Sequence, residues 1–166
     1  MKRRTFLILP GLALALATVP ARAQAPLPPQ TLGKQHRCPV CGMYPLQSPR
    51  WAAQVVFNDQ TASFFDSPAD LFRFLNAMPM FDKGHKPEDV GAAYITDFAS
   101  GAWADARSAF FVTGSSARGP MKEPNLPAFS TRAAADAHAS SEGGTVLAYK
   151  QITRDVLRSL LAGHQH

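Results

Sequence analysis

Both cysteines of this 166-residue chain, Cys38 and Cys41, are separated by only two residues, so no long-range crosslink can hold the fold together. A bridge across so short a loop would add little stability. The chain must rely on a hydrophobic core. Once a leader is set aside about 143 residues remain, enough for one compact domain with a sizeable core.

That leader is legible at the amino terminus. Lys2, Arg3 and Arg4 precede an apolar run from Phe6 to Val19, and Ala21-Arg22-Ala23 forms a small-x-small cleavage pattern. The run is too short for a permanent membrane span. Arg3-Arg4-x-Phe6-Leu7 resembles a twin-arginine export signal, with an ordinary secretory signal as the alternative. Residues 1–23 are therefore expected to be cleaved, leaving a protein soluble in the periplasm.

The leader holds four of the 17 lysines and arginines and none of the 12 acidic residues, so 13 basic residues face 12 acidic ones in the remainder. The basic overall charge belongs to the leader. Neither nucleic acid nor an anionic membrane is expected as a partner. Residues 24–35, rich in proline and polar side chains, read as a flexible linker; the domain is expected over 36–163 and a tail over 164–166.

Strand and helix patterns alternate along the domain. Ala53–Phe57 and Ala62–Phe65 read as a hairpin around Asn58-Asp59-Gln60. Ser67-Pro68-Ala69-Asp70 supplies a cap, a first-turn proline and a first-turn acid. Leu71, Phe74, Leu75 and Met78 mark the buried face of the following helix, which Pro79 should end. Strand patterns resume at 93–98 and 109–113, with Gly101-Ala102-Trp103 between them and a long loop over 114–127.

Ser130 is expected to cap an alanine-rich helix to about Ser140, stopped by Gly143-Gly144. A strand at 145–149 and a last helix capped by Thr153 follow, the helix placing Val156, Leu157, Leu160 and Leu161 inward. Strand, strand, helix and strand thus occur twice, over 53–98 and 102–150. The prediction is an α+β domain of two ββαβ-like units packed together.

Chemistry concentrates in Cys38-Pro39-Val40-Cys41-Gly42-Met43-Tyr44. Three soft sulfur donors in so short a stretch point to a soft monovalent ion, Cu(I), which thiolate and thioether ligands favour. Cys38 and Cys41 at i and i+3 can set both sulfurs around one ion, Gly42 allows close backbone approach, and Met43 adds a neutral donor. The carboxylate cluster that Mg²⁺ or Ca²⁺ requires is not evident; Asp66, Asp70, Asp97 and Asp105 read as capping or solvated residues. His36 is close to the thiols but reads as solvent-facing, and His85, His138, His164 and His166 are scattered. Met78 reads as core and Met80 as a weak extra donor.

A series of short motifs extends along the domain. Cys-Pro-Val-Cys-Gly-Met-Tyr at 38–44, Phe65-Asp66-Ser67, Tyr94 to Trp103, Ala109 to Val112, Gly119-Pro120-Met121, Ala128-Phe129 and Gly143-Gly144 follow the order seen in the NosL family, which the chain resembles over nearly its whole length after the leader. The resemblance implies an exported copper-binding accessory protein of nitrous oxide reductase maturation, folded as two ββαβ units. It also implies Met121 as a donor from across the fold, giving Cys38, Cys41, Met43 and Met121 as the expected ligand set; on residue type alone both methionines suit core packing, which is the favoured reading for Met121 without the resemblance. The implied partners are copper and a copper-receiving apo-enzyme or assembly factor. Typical members resemble lipoproteins with an acylated leader cysteine, whereas this leader ends Ala21-Arg22-Ala23-Gln24 and holds no cysteine, which predicts no permanent membrane anchor.

No glycine-rich phosphate loop, nucleophile elbow or His-Glu-x-x-His helix is present, and no second Cys/His pair has zinc-finger spacing, so an enzyme is not expected. The alternative is a thiol-disulfide oxidoreductase with Cys38 as nucleophile and Cys41 as resolving thiol. That chemistry favours a motif between a strand and a helix, yet no strand pattern precedes Cys38, and Pro45 and Pro49 follow. The two-histidine, one-cysteine set of a blue-copper centre is not evident either.

Overall fold

The computed structural model describes residues 27–162. The leader read at 1–23 and the tail at 164–166 lie outside the described residues. β1 (Ala53–Phe57) turns into β2 (Ala62–Phe65), and α1 (Pro68–Asn76) and the short α2 (Met78–Phe81) lead to β3 (Val90–Thr96), with β4 (Trp103–Asp105) beyond it. Then come β5 (Phe110–Thr113), β6 (Ala128–Phe129), α3 (Arg132–Glu142), β7 (Thr145–Ala148) and α4 (Arg154–Ala162).

The strands form two antiparallel sheets, ordered β2-β1-β3-β4 and β6-β5-β7. In each, the first strand of a unit is central, flanked by its hairpin partner and by the strand after the helix. The expected α+β fold of two ββαβ units is therefore present. Its second unit begins at Phe110 rather than near 102, because Trp103–Asp105 pairs with Tyr94–Thr96 as the outer strand of the first sheet.

Local signals explain most boundaries. Ser67 Oγ accepts the Asp70 N–H at 3.3 Å, and Pro68 occupies the first turn where no N–H is needed. α1 stops at Asn76, ahead of Pro79, which lacks the N–H that would continue the ladder and instead lies in the first turn of α2. Thr131, not Ser130, caps α3, accepting the Ala134 N–H at 3.2 Å; the Ser130 N–H is used elsewhere. Thr153 caps α4 through the Val156 N–H at 3.4 Å.

α1 lies at the centre of the molecule. Its Leu71 and Phe74 pack with Val55, Phe57, Phe65, Met78 and Ile95 in one core, which Leu157 and Leu160 of α4 also enter. Its Phe72 meets Phe111 of β5 edge-on at 5.0 Å, joining the two sheets. α3 covers the other side of β5, where Ala135 packs with Val112 and Phe129. The back of β1 is also buried: Val56 packs with Tyr94 and Leu27, and the buried Gln54 amide bonds both the N–H and the carbonyl of Gln30, at 2.7 and 3.2 Å. The start of the stretch read as a linker is thereby held to the sheet at Leu27 and Gln30. No helix among the described residues is long and apolar enough to cross a membrane.

Asp97, after β3, ties the units together. Its carboxylate accepts the Ser130 N–H at 2.6 Å, the Ser100 N–H at 2.7 Å, the Ser100 hydroxyl at 2.9 Å and the Ala99 N–H at 3.0 Å. Burial raises its pKa, but the bonds from Ser130 and Ser100 outweigh that and hold it at about 2 against the ordinary 3.8. Its stabilising effect is complete above about pH 4 and fades as pH falls through about 2. Asp97→Ala, measured by urea denaturation at neutral pH, is expected to lower stability by about 2–4 kcal/mol. The gap between wild type and variant should close as the measurement is taken below pH 4.

Candidate metal centre

A tight turn presents the two thiols. The Cys38 N–H donates to the Met43 carbonyl and the Gly42 N–H donates to the Cys38 carbonyl, each at 2.8 Å. Gly42 adopts φ +77°, a left-handed conformation that side chains disfavour, and no atom lies within 4 Å of where its Cβ would sit. Glycine is needed here for backbone conformation, not for the close approach expected from the sequence. Backbone N–H groups of Cys41 and Met43 point at the sulfurs of Cys38 and Cys41 respectively. Both thiols are free, Cys38 buried and Cys41 half-buried.

The amino end of α1 supplies two further groups. One donor atom from each of Cys38, Cys41, Asp66 and Asp70 lies within 4.8 Å of all the others. The Cys38 thiol donates to Asp70 Oδ2 at 3.5 Å, and Asp70 Oδ1 is paired with Arg73 at 2.5 Å. Asp66 is 2% exposed, and its Oδ1 has no hydrogen-bond partner among the described residues. This corrects the reading of Asp66 and Asp70 as capping or solvated: Ser67 caps the helix, and both aspartates face the thiols. Asp97 and Asp105 do act as local caps, Asp105 accepting the Arg107 N–H at 2.8 Å. The available sequence signal was the four-residue spacing of two acids around a helix start that follows a buried aromatic strand.

These groups shift one another strongly. The Cys41 S–H donates to Cys38 and lowers its thiol; burial opposes this, and the backbone N–H groups of Cys41 and Asp66 reinforce it. The same bond, followed by burial, pushes the Cys41 thiol far up. Burial, then the adjacent Asp70, pushes the Asp66 carboxyl up to about 6.

The remaining expected donors occupy different surroundings. Met43 is half-buried at the end of the cysteine turn. Met121 is 55% exposed on the 114–127 loop, where Arg118 bridges Pro124. That loop docks on the amino end of α1: Asn125 Oδ1 accepts the Ala69 N–H at 3.3 Å, and Asn125 Nδ2 donates to Glu123 at 2.7 Å. Of the four predicted ligands, the fold thus gathers the two cysteines, and it anchors the methionine loop at the same helix end. Met80 is exposed and Met78 buried in the core. His36 is half-buried: it stacks on Phe64 at 4.1 Å and accepts the Gly33 N–H.

The NosL family model matches residues 29–157, a span that includes the turn, both aspartates and the methionine loop. The chain belongs to the NosL family. It is 32% identical over 167 residues to the copper-binding lipoprotein NosL of Achromobacter cycloclastes, covering 90% of this chain and 80% of that protein. Its fold matches the crystal structure of the copper chaperone NosL from Shewanella denitrificans with a TM-score of 0.65 and 25% identity, over 79% of this chain and 99% of that one. A solution structure of apo-NosL from Achromobacter cycloclastes aligns with a TM-score of 0.46 and 28% identity, over 63% of this chain and 87% of that one. These NosL relatives are named as a copper-binding lipoprotein and a chaperone, not as enzymes.

The Asp70–Arg73 pair sits beneath the thiols with Asp70 almost fully buried. Removing the guanidinium leaves an uncompensated carboxylate. Arg73→Met should destabilise the reduced, metal-free protein by about 3 kcal/mol in chemical denaturation, and adding Asp70→Leu should restore most of that loss.

Proposed function

We propose that this NosL-family protein is a periplasmic metallochaperone that holds Cu(I) through sulfur and passes it to a copper enzyme, nitrous oxide reductase or a factor of its assembly. The observation that carries this reading is the pair of free thiols in one rigid turn, one buried and one half-buried. Cys38 anchors the ion while Cys41 stays open to an incoming acceptor. Met43 and Met121 complete the site as neutral soft donors, which hold Cu(I) without adding charge. An exposed Met121 on a loop docked beside the site suits a ligand that must let go during transfer. The family, its copper-binding relatives and the leader all support the assignment.

The enzyme alternative is less well supported. Thiol-disulfide exchange needs an accessible thiol of lowered pKa as nucleophile. Here the lowered thiol, Cys38, is buried, and the more accessible Cys41 is the one pushed up.

An anaerobic competition titration of the reduced protein, without its leader, against a chromogenic Cu(I) chelator tests the proposal. One tight equivalent is expected, weakened about 100-fold or more by Cys38→Ser or Cys41→Ser and about tenfold by Met43→Leu or Met121→Leu. Oxidation to the Cys38–Cys41 disulfide should abolish tight binding, since the thiolates are then unavailable. Undiminished affinity in the oxidised protein or in the cysteine variants would remove the thiolate ligands, and an absence of competitive binding would leave thiol-disulfide exchange.

A further inference from the structure

The carboxylates beside the thiols have no part in a sulfur-only Cu(I) site. Asp66 is the more informative of the two. Asp70 is neutralised by Arg73 at 2.5 Å, but Asp66 has no cationic partner among the described residues, its Oδ1 is buried and unpartnered, and it sits within the 4.8 Å cluster with both sulfurs. A buried carboxylate oxygen without a donor is a costly arrangement that a cation would relieve.

Charge distinguishes which cation. With Asp70 and Arg73 cancelling, two thiolates and Asp66 bring three negative charges to one point. A monovalent ion leaves two negative charges over, whereas a divalent ion leaves only one. Donor type agrees, because two thiolates and two carboxylates form a mixed S₂O₂ set suited to a borderline divalent ion in tetrahedral geometry. Such an ion, at about 2.3 Å from sulfur and about 2.0 Å from oxygen, needs donors about 3.3–3.8 Å apart. The Cys38 Sγ to Asp70 Oδ2 separation is already 3.5 Å, and the cluster as a whole lies within 4.8 Å, so a contraction of about one ångström closes the set. The backbone is prepared for it: N–H groups of Cys41, Asp66 and Met43 already point at the two sulfurs, where thiolate charge would reside.

We infer that the site has a second mode, in which Cys38, Cys41, Asp66 and Asp70 bind a divalent ion of the Zn²⁺ class without either methionine. Binding displaces the two thiol protons, together with any proton held by Asp66, to solvent and leaves the cysteines reduced, so no electron transfer is involved. The mode shares its thiols with the Cu(I) site but does not depend on the copper reading.

Co²⁺ is the probe, added anaerobically to the reduced protein without its leader, with Zn²⁺ as competitor. Wild type should bind one equivalent with thiolate-to-cobalt charge-transfer bands and the intense visible bands of a tetrahedral ion, and Zn²⁺ should bleach both. Asp66→Asn, which keeps shape and removes the charge, should weaken Co²⁺ at least about tenfold and change the visible bands, with Cu(I) affinity nearly unchanged. Met43→Leu and Met121→Leu should leave the cobalt spectrum intact. Far-UV circular dichroism and the retained Cu(I) titre verify folding, and Asp66→Ser serves as the second variant. Absence of tetrahedral cobalt in wild type, equal cobalt affinity in Asp66→Asn, or a loss of cobalt in the methionine variants would each overturn the inference. Failure of Cu(I) binding alongside intact, Asp66-dependent cobalt binding would instead remove only the copper reading.

Discussion

Four ionisable side chains, Cys38, Cys41, Asp66 and Asp70, converge within 4.8 Å at a place where a single guanidinium, Arg73, is their charge partner. Taken together as anions they would be untenable in a buried setting, because the penalty for removing charge from water is repaid only by close pairing. The metal-free fold resolves this by holding protons and by pairing. Asp70 is bonded to Arg73 and receives the Cys38 thiol, the Cys41 S–H supports Cys38, and burial favours the neutral form of Asp66. A metal ion bound there would take the place of those protons, so occupancy and local electrostatics would be one problem.

The scaffold solves that problem with an unequal use of two similar units. Both have the central-strand topology of β1 or β5, yet their first connections differ greatly: residues 58–61 join β1 to β2, while residues 114–127 join β5 to β6. The longer connection reaches across to the first unit and places Asn125 on the amino end of α1, in the position of a helix cap supplied by another part of the chain. α1 therefore receives the Ser67 cap from its own segment and Asn125 from the second unit, with the cysteine turn on the same end. Its other contacts, Phe72 on Phe111 and the α4 leucines, fix its depth in the core. The cysteine turn, the start of α1 and the 114–127 loop are thereby held together at one helix end.

How much of this the amino-acid sequence displayed depended on the range of the interaction. Short-range signals were sufficient for the first hairpin, the Ser-Pro start of α1, the Gly143-Gly144 stop and the alternation behind the two ββαβ units. Trp103–Asp105 was too short for its pattern to say which sheet it joins, and its pairing with β3 is a tertiary choice. Ser130 and Thr131 are both good caps on propensity; Asp97 holds the Ser130 backbone through its N–H, and the helix starts one residue later with Thr131 as its cap. Gln54 and Leu27 show the same limit, since only the folded sheet makes the approach of the early chain visible. In the site, Cys38 and Cys41 were legible because the spacing itself sets their geometry. Asp66 and Asp70 were not, because their meeting with the thiols spans some thirty residues and depends on how the cysteine turn packs against α1.

That packing also sorts the donors by chemistry. The carboxylates of Asp66 and Asp70 are buried beside the thiols, whereas Met121 is exposed on a loop tied to the same helix end. In the two modes proposed, carboxylates would complete the coordination of a divalent ion and thioether sulfur that of a soft monovalent one. The two thiols would be common to both modes. Ion identity can therefore be set by which side of the cysteine pair completes the coordination, with the same turn serving in each case.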